Sequence, residues 1–258
     1  MVSKIAFLYF SYFAWGCLVL LPLVSLREVG IGFYRFFGFT CVALQTLAVG
    51  LAIWMGPVFE GNYKNAAIAT GASLFFTLCF TTALRVRVRW FLWGCFILAA
   101  ASGLAGIALF PWDGKILLAV HAASSALLLG AVTLAMMLGH WYLVTPKLSI
   151  GPLKRYSAAY ILLTAWMALQ ILLGYFLSYQ VGMSDGKVPY IIQQQIIFIL
   201  FRWAWGLLAP LGLAYWIWET VKMRSTQSAT GILYAAMVCT MMGEGMGIYL
   251  TLQTGWLL

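Results

Sequence analysis

Four ionisable side chains sit inside long apolar runs of this chain: His121, His140, Arg202 and Glu244. On insertion scales such groups cost roughly 2.5–3.5 kcal/mol each at membrane depth, so each is by default a candidate for function. Glu244 stands in "MMGEGMGIYL" (241–250) and needs a partner, a proton or a task there. Arg202, in "ILFRWAWG" (199–206), is its natural charge partner. At ~1.5 Å rise per residue, Glu244 lies about 15 Å from the C-terminal end of its apolar run. Arg202 lies about 18 Å from the N-terminal end of its own run, at similar depth if the two run antiparallel. Gly243 and Gly247 flank the glutamate at G-x-x-x-G spacing, which lets another helix backbone approach and bury the carboxylate away from lipid. One reading gives the pair proton chemistry. The other makes it a structural ion pair that fixes helix register, and the two readings are compatible.

His121 has Ser125 one turn away on the same face. Five amides, Gln45, Gln170, Gln193, Gln194 and Gln195, also fall within apolar runs. Gln195 and Arg202 are seven residues apart and share a helix face. His121, Gln195, Arg202 and Glu244 are therefore expected to line one cavity, with Gln194 and Trp205 as further ligand contacts. The bland alternative is that each polar group separately finds a carbonyl or a serine. His140, in "GHWYL" (139–143), lies beside Trp141 and Tyr142, as in an interfacial aromatic belt. His121 and His140 are nineteen residues apart on one helix, about 28 Å, so they cannot ligate one haem together. A haem b held by His and Met stays open, although most of the eleven methionines read as core filler. The five cysteines (17, 41, 79, 95 and 239) form no C-x-x-C pair and read as small buried hydrophobes, so no metal site is expected. There is no H-E-x-x-H, G-x-S-x-G or P-loop, and six acidic residues leave little material for a hydrolase.

The elements that must position these groups follow from composition. The chain is 64% hydrophobic and 8% charged, against roughly 25% charged in soluble domains. This predicts an all-α polytopic membrane bundle of about eight transmembrane helices, forming a single integral membrane domain over 1–258. The expected spans are approximately 5–25, 34–56, 65–84, 90–110, 116–144, 157–181, 190–220 and 229–254. The first run is long and lacks a clear cleavage site, so it reads as a retained span. A β-barrel is excluded because the runs do not alternate. The loops after the first, third, fifth and seventh spans, with their flanks, hold ten cations: Arg27, Arg35, Arg85, Arg87, Arg89, Lys147, Lys154, Arg155, Lys222 and Arg224. The opposite side holds four (Lys4, Lys64, Lys115 and Lys187), together with Glu60, Asp113 and Asp185. The positive-inside rule then puts both termini outside the cytoplasm and accounts for the net charge of +9 without nucleic acid.

Eight spans with this orientation resemble the DmsC/NrfD type of membrane subunit. "MVCTMMGEGMGIYL" (237–250) is similar to that family's closing helix, where a Gly-Glu pair precedes a glycine one turn later. Arg202 resembles an arginine of its penultimate helix, and "IWMGPVFEG" (53–61) resembles its second-span exit. That exit carries a histidine in the family, whereas this chain has Trp54 and Met55 near the place, so His121 would have to substitute from another helix. The resemblance implies a quinone-reactive membrane subunit of an oxidoreductase complex in a respiratory chain, in the bacterial inner membrane. It would anchor subunits carrying iron–sulfur, molybdenum or cytochrome centres. Quinone or quinol would bind in the outer half, with His121, Arg202 and Glu244 handling its protons. The alternatives are a small-solute or proton transporter using the Arg/Glu pair, and a purely structural assembly anchor.

Overall fold

A computed structural model describes residues 1–56, 62–86, 89–112, 115–145, 148–185 and 188–255, the side chains of 62, 86, 143 and 178–193 aside. Every regular element in it is helical. In chain order these are α1 (Val2–Leu20), α2 (Leu26–Trp54), α3 (Asn62–Val86), α4 (Arg89–Ala108), α5 (Ile116–Val144), α6 (Gly151–Asp185), α7 (Val188–Trp203), α8 (Ala209–Lys222) and α9 (Thr226–Thr254). A 3₁₀ turn, Leu21–Leu23, closes α1, and a π-helical turn, Ala204–Leu208, joins α7 to α8 into one span. Eight helices are therefore long and apolar enough to cross a membrane. Their outer faces carry large apolar side chains such as Ile97, Leu162, Phe176, Ile197 and Leu200, as a lipid-facing wall requires.

α5 is the most enclosed span and packs against α1, α6 and α9. Its closest approach is to α1. A Cβ added at Gly16 would lie 1.7 Å from the Ala126 carbonyl oxygen, so the two backbones touch with nothing between them. Buried polar ties cross the bundle elsewhere. Gln45 Nε2 donates to Ser73 Oγ (2.9 Å), and Ser73 Oγ donates to the Ala99 carbonyl (2.9 Å), linking α2, α3 and α4. Trp15 Nε1 donates to the Ala100 carbonyl at 2.8 Å. Gln45 is thus a structural amide.

Several helices overrun the apolar spans. α2 begins at Leu26 rather than 34 because Ser25 and Glu28 form a capping box, with Ser25 N and Oγ donating to Glu28 Oε2 at 3.0 and 2.9 Å. This short polar turn ends at Gly30, whose φ of +81° breaks the helical path before the apolar part begins. α6 starts at Gly151–Pro152, where proline fits the first helical turn, and so includes the polar Lys154–Arg155 step. Apolarity alone therefore does not mark where these helices begin; caps and prolines do.

Candidate functional site

Arg202 and Glu244 meet. Arg202 Nη1 donates to Glu244 Oε1 at 2.8 Å, joining the last turn of α7 to the middle of α9. The two side chains are 0% and 1% exposed. Glycines make this geometry possible. A Cβ added at Gly243 would lie 2.2 Å from the Gly206 Cα, so α9 and the π turn cross backbone to backbone one residue from the carboxylate. The guanidinium then lies along Gly247, where an added Cβ would come within 2.9 Å of Cζ. Pro210 lacks the N–H that would bond the Gly206 carbonyl in an α-helix. The wider π turn sits just before it and at the charged pair, as such turns often do at functional sites.

Among the described residues one hydrogen bond holds the pair. Arg202 Nε and Nη2 and Glu244 Oε2 are buried and have no hydrogen-bond partner among those residues. A salt bridge built only for stability satisfies its remaining polar atoms; this one leaves three open. Tyr9, Tyr12 and His121 all lie within electrostatic reach of Glu244.

His121 is set by a chain of bonds between α5 and α6. Its Nδ1 lies 3.1 Å from Gln170 Oε1, Gln170 Nε2 donates to Ser124 Oγ at 3.1 Å, and Trp166 Nε1 donates to the same oxygen at 3.0 Å. Ser124 Oγ spends its one proton on the Val120 carbonyl, at 2.9 Å. The serine can therefore only accept from Gln170, so the amide NH₂ faces it and the amide oxygen faces His121. The neutral imidazole must then carry its proton on Nδ1, which leaves Nε2 as an acceptor.

His121, Ser125, Tyr12 and Thr251 line a cavity with Leu8, Trp112, Leu118, Ala122 and Ile248. Its free space is about 10 Å³, room for roughly one water. Thr251 Oγ1 there is buried and has no hydrogen-bond partner among the described residues. Ile248 and Thr251 lie one and two turns beyond Glu244 on α9, so the cavity and the ion pair lie along the same helix.

The expected four-residue cavity thus resolves into two neighbouring parts. Arg202 and Glu244 form one, and His121 lines the other. Gln195 does turn toward α9, but it accepts a hydrogen bond from Tyr249 there (3.3 Å) rather than reaching the pair. Gln194 is exposed, and Trp205 is 40% exposed on the outer face of the π turn. The side chain of Gln193 and residues 57–61 lie outside the described residues. His140 is exposed at the far end of α5. Among the described residues no three His, Cys, Asp or Glu side chains group as metal ligands do. Sequence reasoning missed Tyr9, Tyr12 and Thr251. All three fall within the first and last spans, Thr251 only about 4.5 Å from the end of its run, but thirteen tyrosines are too many to single out two. Set against protein-family models, curated proteins and solved structures, the chain matches none of them.

Proposed function

We propose that this chain is the membrane subunit of an electron-transfer complex that exchanges electrons with quinol, and that the Arg202–Glu244 pair and His121 handle its protons. One observation carries the reading. A fully buried ion pair, with three polar atoms unmatched among the described residues, shares α9 with a small cavity lined by His121, Ser125, Tyr12 and Thr251. Oxidising a quinol releases two protons with two electrons, so the chemistry needs a proton acceptor at depth and a carboxylate to carry the charge onward. His121 Nε2 is an acceptor and suits a donated hydroxyl proton. Gln170 and Ser124 hold the ring in that tautomer, and Arg202 donates to Glu244.

Size limits what this region does as it stands. A space of about 10 Å³ passes a proton through one water and does not seat a ring, which would need Leu8, Leu118 and Ile248 to move apart. The same fact favours a second reading, a proton-coupled transporter in which the pair carries protons with no redox partner. In either case the ten-to-four distribution of cations orients both termini outside the cytoplasm, and the protein belongs in a bacterial inner membrane. The iron–sulfur, molybdenum or cytochrome centres would come from partner subunits.

Mild-detergent purification from the native membrane separates the two readings. The electron-transfer reading expects co-purifying subunits with iron–sulfur or cytochrome absorbance that quinol reduces. Purification as a colourless chain that acidifies or alkalinises vesicles under a solute gradient establishes the transporter reading instead.

A further inference from the structure

At the opposite end of the bundle from this cavity, the α1–α2 turn, the starts of α2 and α4 and the end of α3 border a second, larger cavity of about 700 Å³ that opens to the surface. We propose that it binds an anionic phospholipid, with the headgroup phosphate held between Arg27 and Arg89. The inference does not depend on the quinol reading.

Charge accounting at this end carries it. The chain has six acidic residues, and only Glu28 and Glu219 lie at the end where α2 starts, against the ten cations named above. Both are engaged. Glu28 accepts from Ser25 with Oε2 and pairs with Arg155 through Oε1, and Glu219 Oε1 pairs with Lys222 at 2.7 Å. Among the described residues neither Arg27 nor Arg89 has an ion-pair partner, and both line the cavity. The other polar groups in its wall are already committed within the protein. Tyr34 OH donates to the Val24 carbonyl at 2.6 Å, and Ser25 Oγ donates to Glu28. The two guanidiniums are thus the donors left for an anion.

The rest of the lining is apolar: Pro22, Leu26, Ile31, Leu84, Leu92 and Trp93. An inorganic anion would gain nothing from that wall, whereas acyl chains would. The volume falls within the roughly 300–1,000 Å³ of small-molecule sites. Trp90 and Trp93 stand exposed beside it on α4, as rings do at the headgroup level. The anionic leaflet of a bacterial membrane supplies such headgroups at high local concentration.

The test titrates the detergent-purified protein with phosphatidylglycerol or phosphatidylcholine and counts bound lipids by native mass spectrometry. Wild type should retain phosphatidylglycerol over phosphatidylcholine. Arg27→Gln with Arg89→Gln should retain it roughly tenfold less. Lys154→Gln with Arg224→Gln removes the same charge from the same end, away from the cavity, and should retain it as wild type does. Leu92→Trp fills the apolar part, leaves both arginines in place, and should also lose the lipid. Inorganic phosphate at lipid-equivalent concentration should not displace it. Equal losses in the two double variants would reduce the effect to general surface charge. Full retention in Arg27→Gln/Arg89→Gln or in Leu92→Trp, or displacement by phosphate, would overturn the proposal.

Discussion

Removing the carboxylate of Glu244 and removing the guanidinium of Arg202 should have unequal costs, and removing both should cost less than the two losses added together. Two unit charges 2.8 Å apart attract by about 6 kcal/mol at an effective dielectric near 20, before desolvation is counted. Glu244→Leu leaves a guanidinium that cannot lose its proton at a fully buried position with no other acceptor among the described residues, at a cost of roughly 3–5 kcal/mol. Arg202→Met leaves a carboxyl that can take up a proton, so the penalty is that of a neutral buried group, roughly 1–3 kcal/mol. The Arg202→Met/Glu244→Leu double variant removes both charges and should fall within about 2 kcal/mol of wild type. The coupling energy is then at least about 2 kcal/mol. Reversible unfolding in mixed detergent–SDS micelles, followed by helical circular dichroism, measures all four proteins. Single-variant losses that add to the double within about 0.5 kcal/mol would show that the two side chains do not act as a pair and would refute the reasoning.

The remaining predictions concern the frame around the pair. Gly243→Ala puts a methyl group 2.2 Å from the Gly206 Cα, where only backbone can yield, and should cost about 1–3 kcal/mol or more in the same unfolding assay. Gly245→Ala meets nothing nearer than the Tyr9 ring at 3.9 Å and should stay within about 0.5 kcal/mol of wild type. Gln170→Leu removes the acceptor at His121 Nδ1, so ¹⁵N spectra should change from a single Nδ1–H tautomer to a mixture; an unchanged spectrum would show that Gln170 does not set the ring. Reporter fusions should place the C-terminus outside and the 85–89 turn inside the cytoplasm, and a cytoplasmic C-terminus would invert the orientation.

The pairing of Arg202 with Glu244 was legible because both steps that produce it are written in sequence. Charge at depth must be compensated, and depth can be counted along adjacent antiparallel helices. The glycine spacing around Glu244 foretold close approach, though not that Gly206 would be the residue approached. Rotation about helix axes was not legible. It decides that Gln195 meets Tyr249 and that His121 looks to α6 through Gln170, and it follows from packing of side chains far apart in the chain. The π turn was also hidden: Pro210 signals a disturbed helix but does not say whether the helix kinks or widens. The early start of α2 was missed for the opposite reason. Its capping box is a local signal, and hydropathy alone passes over it.

The claim that Glu244, Arg202 and His121 handle protons for quinol chemistry is tested most directly by quinol-dependent turnover in the assembled complex. His121→Ala should lower turnover while the complex still assembles. Glu244→Gln with Arg202→Gln should lower it most at the pH where proton transfer limits the rate, without leaving one charge stranded. Normal turnover in both variants, in fully assembled complex, would contradict the account and leave these residues as structural members of an anchor.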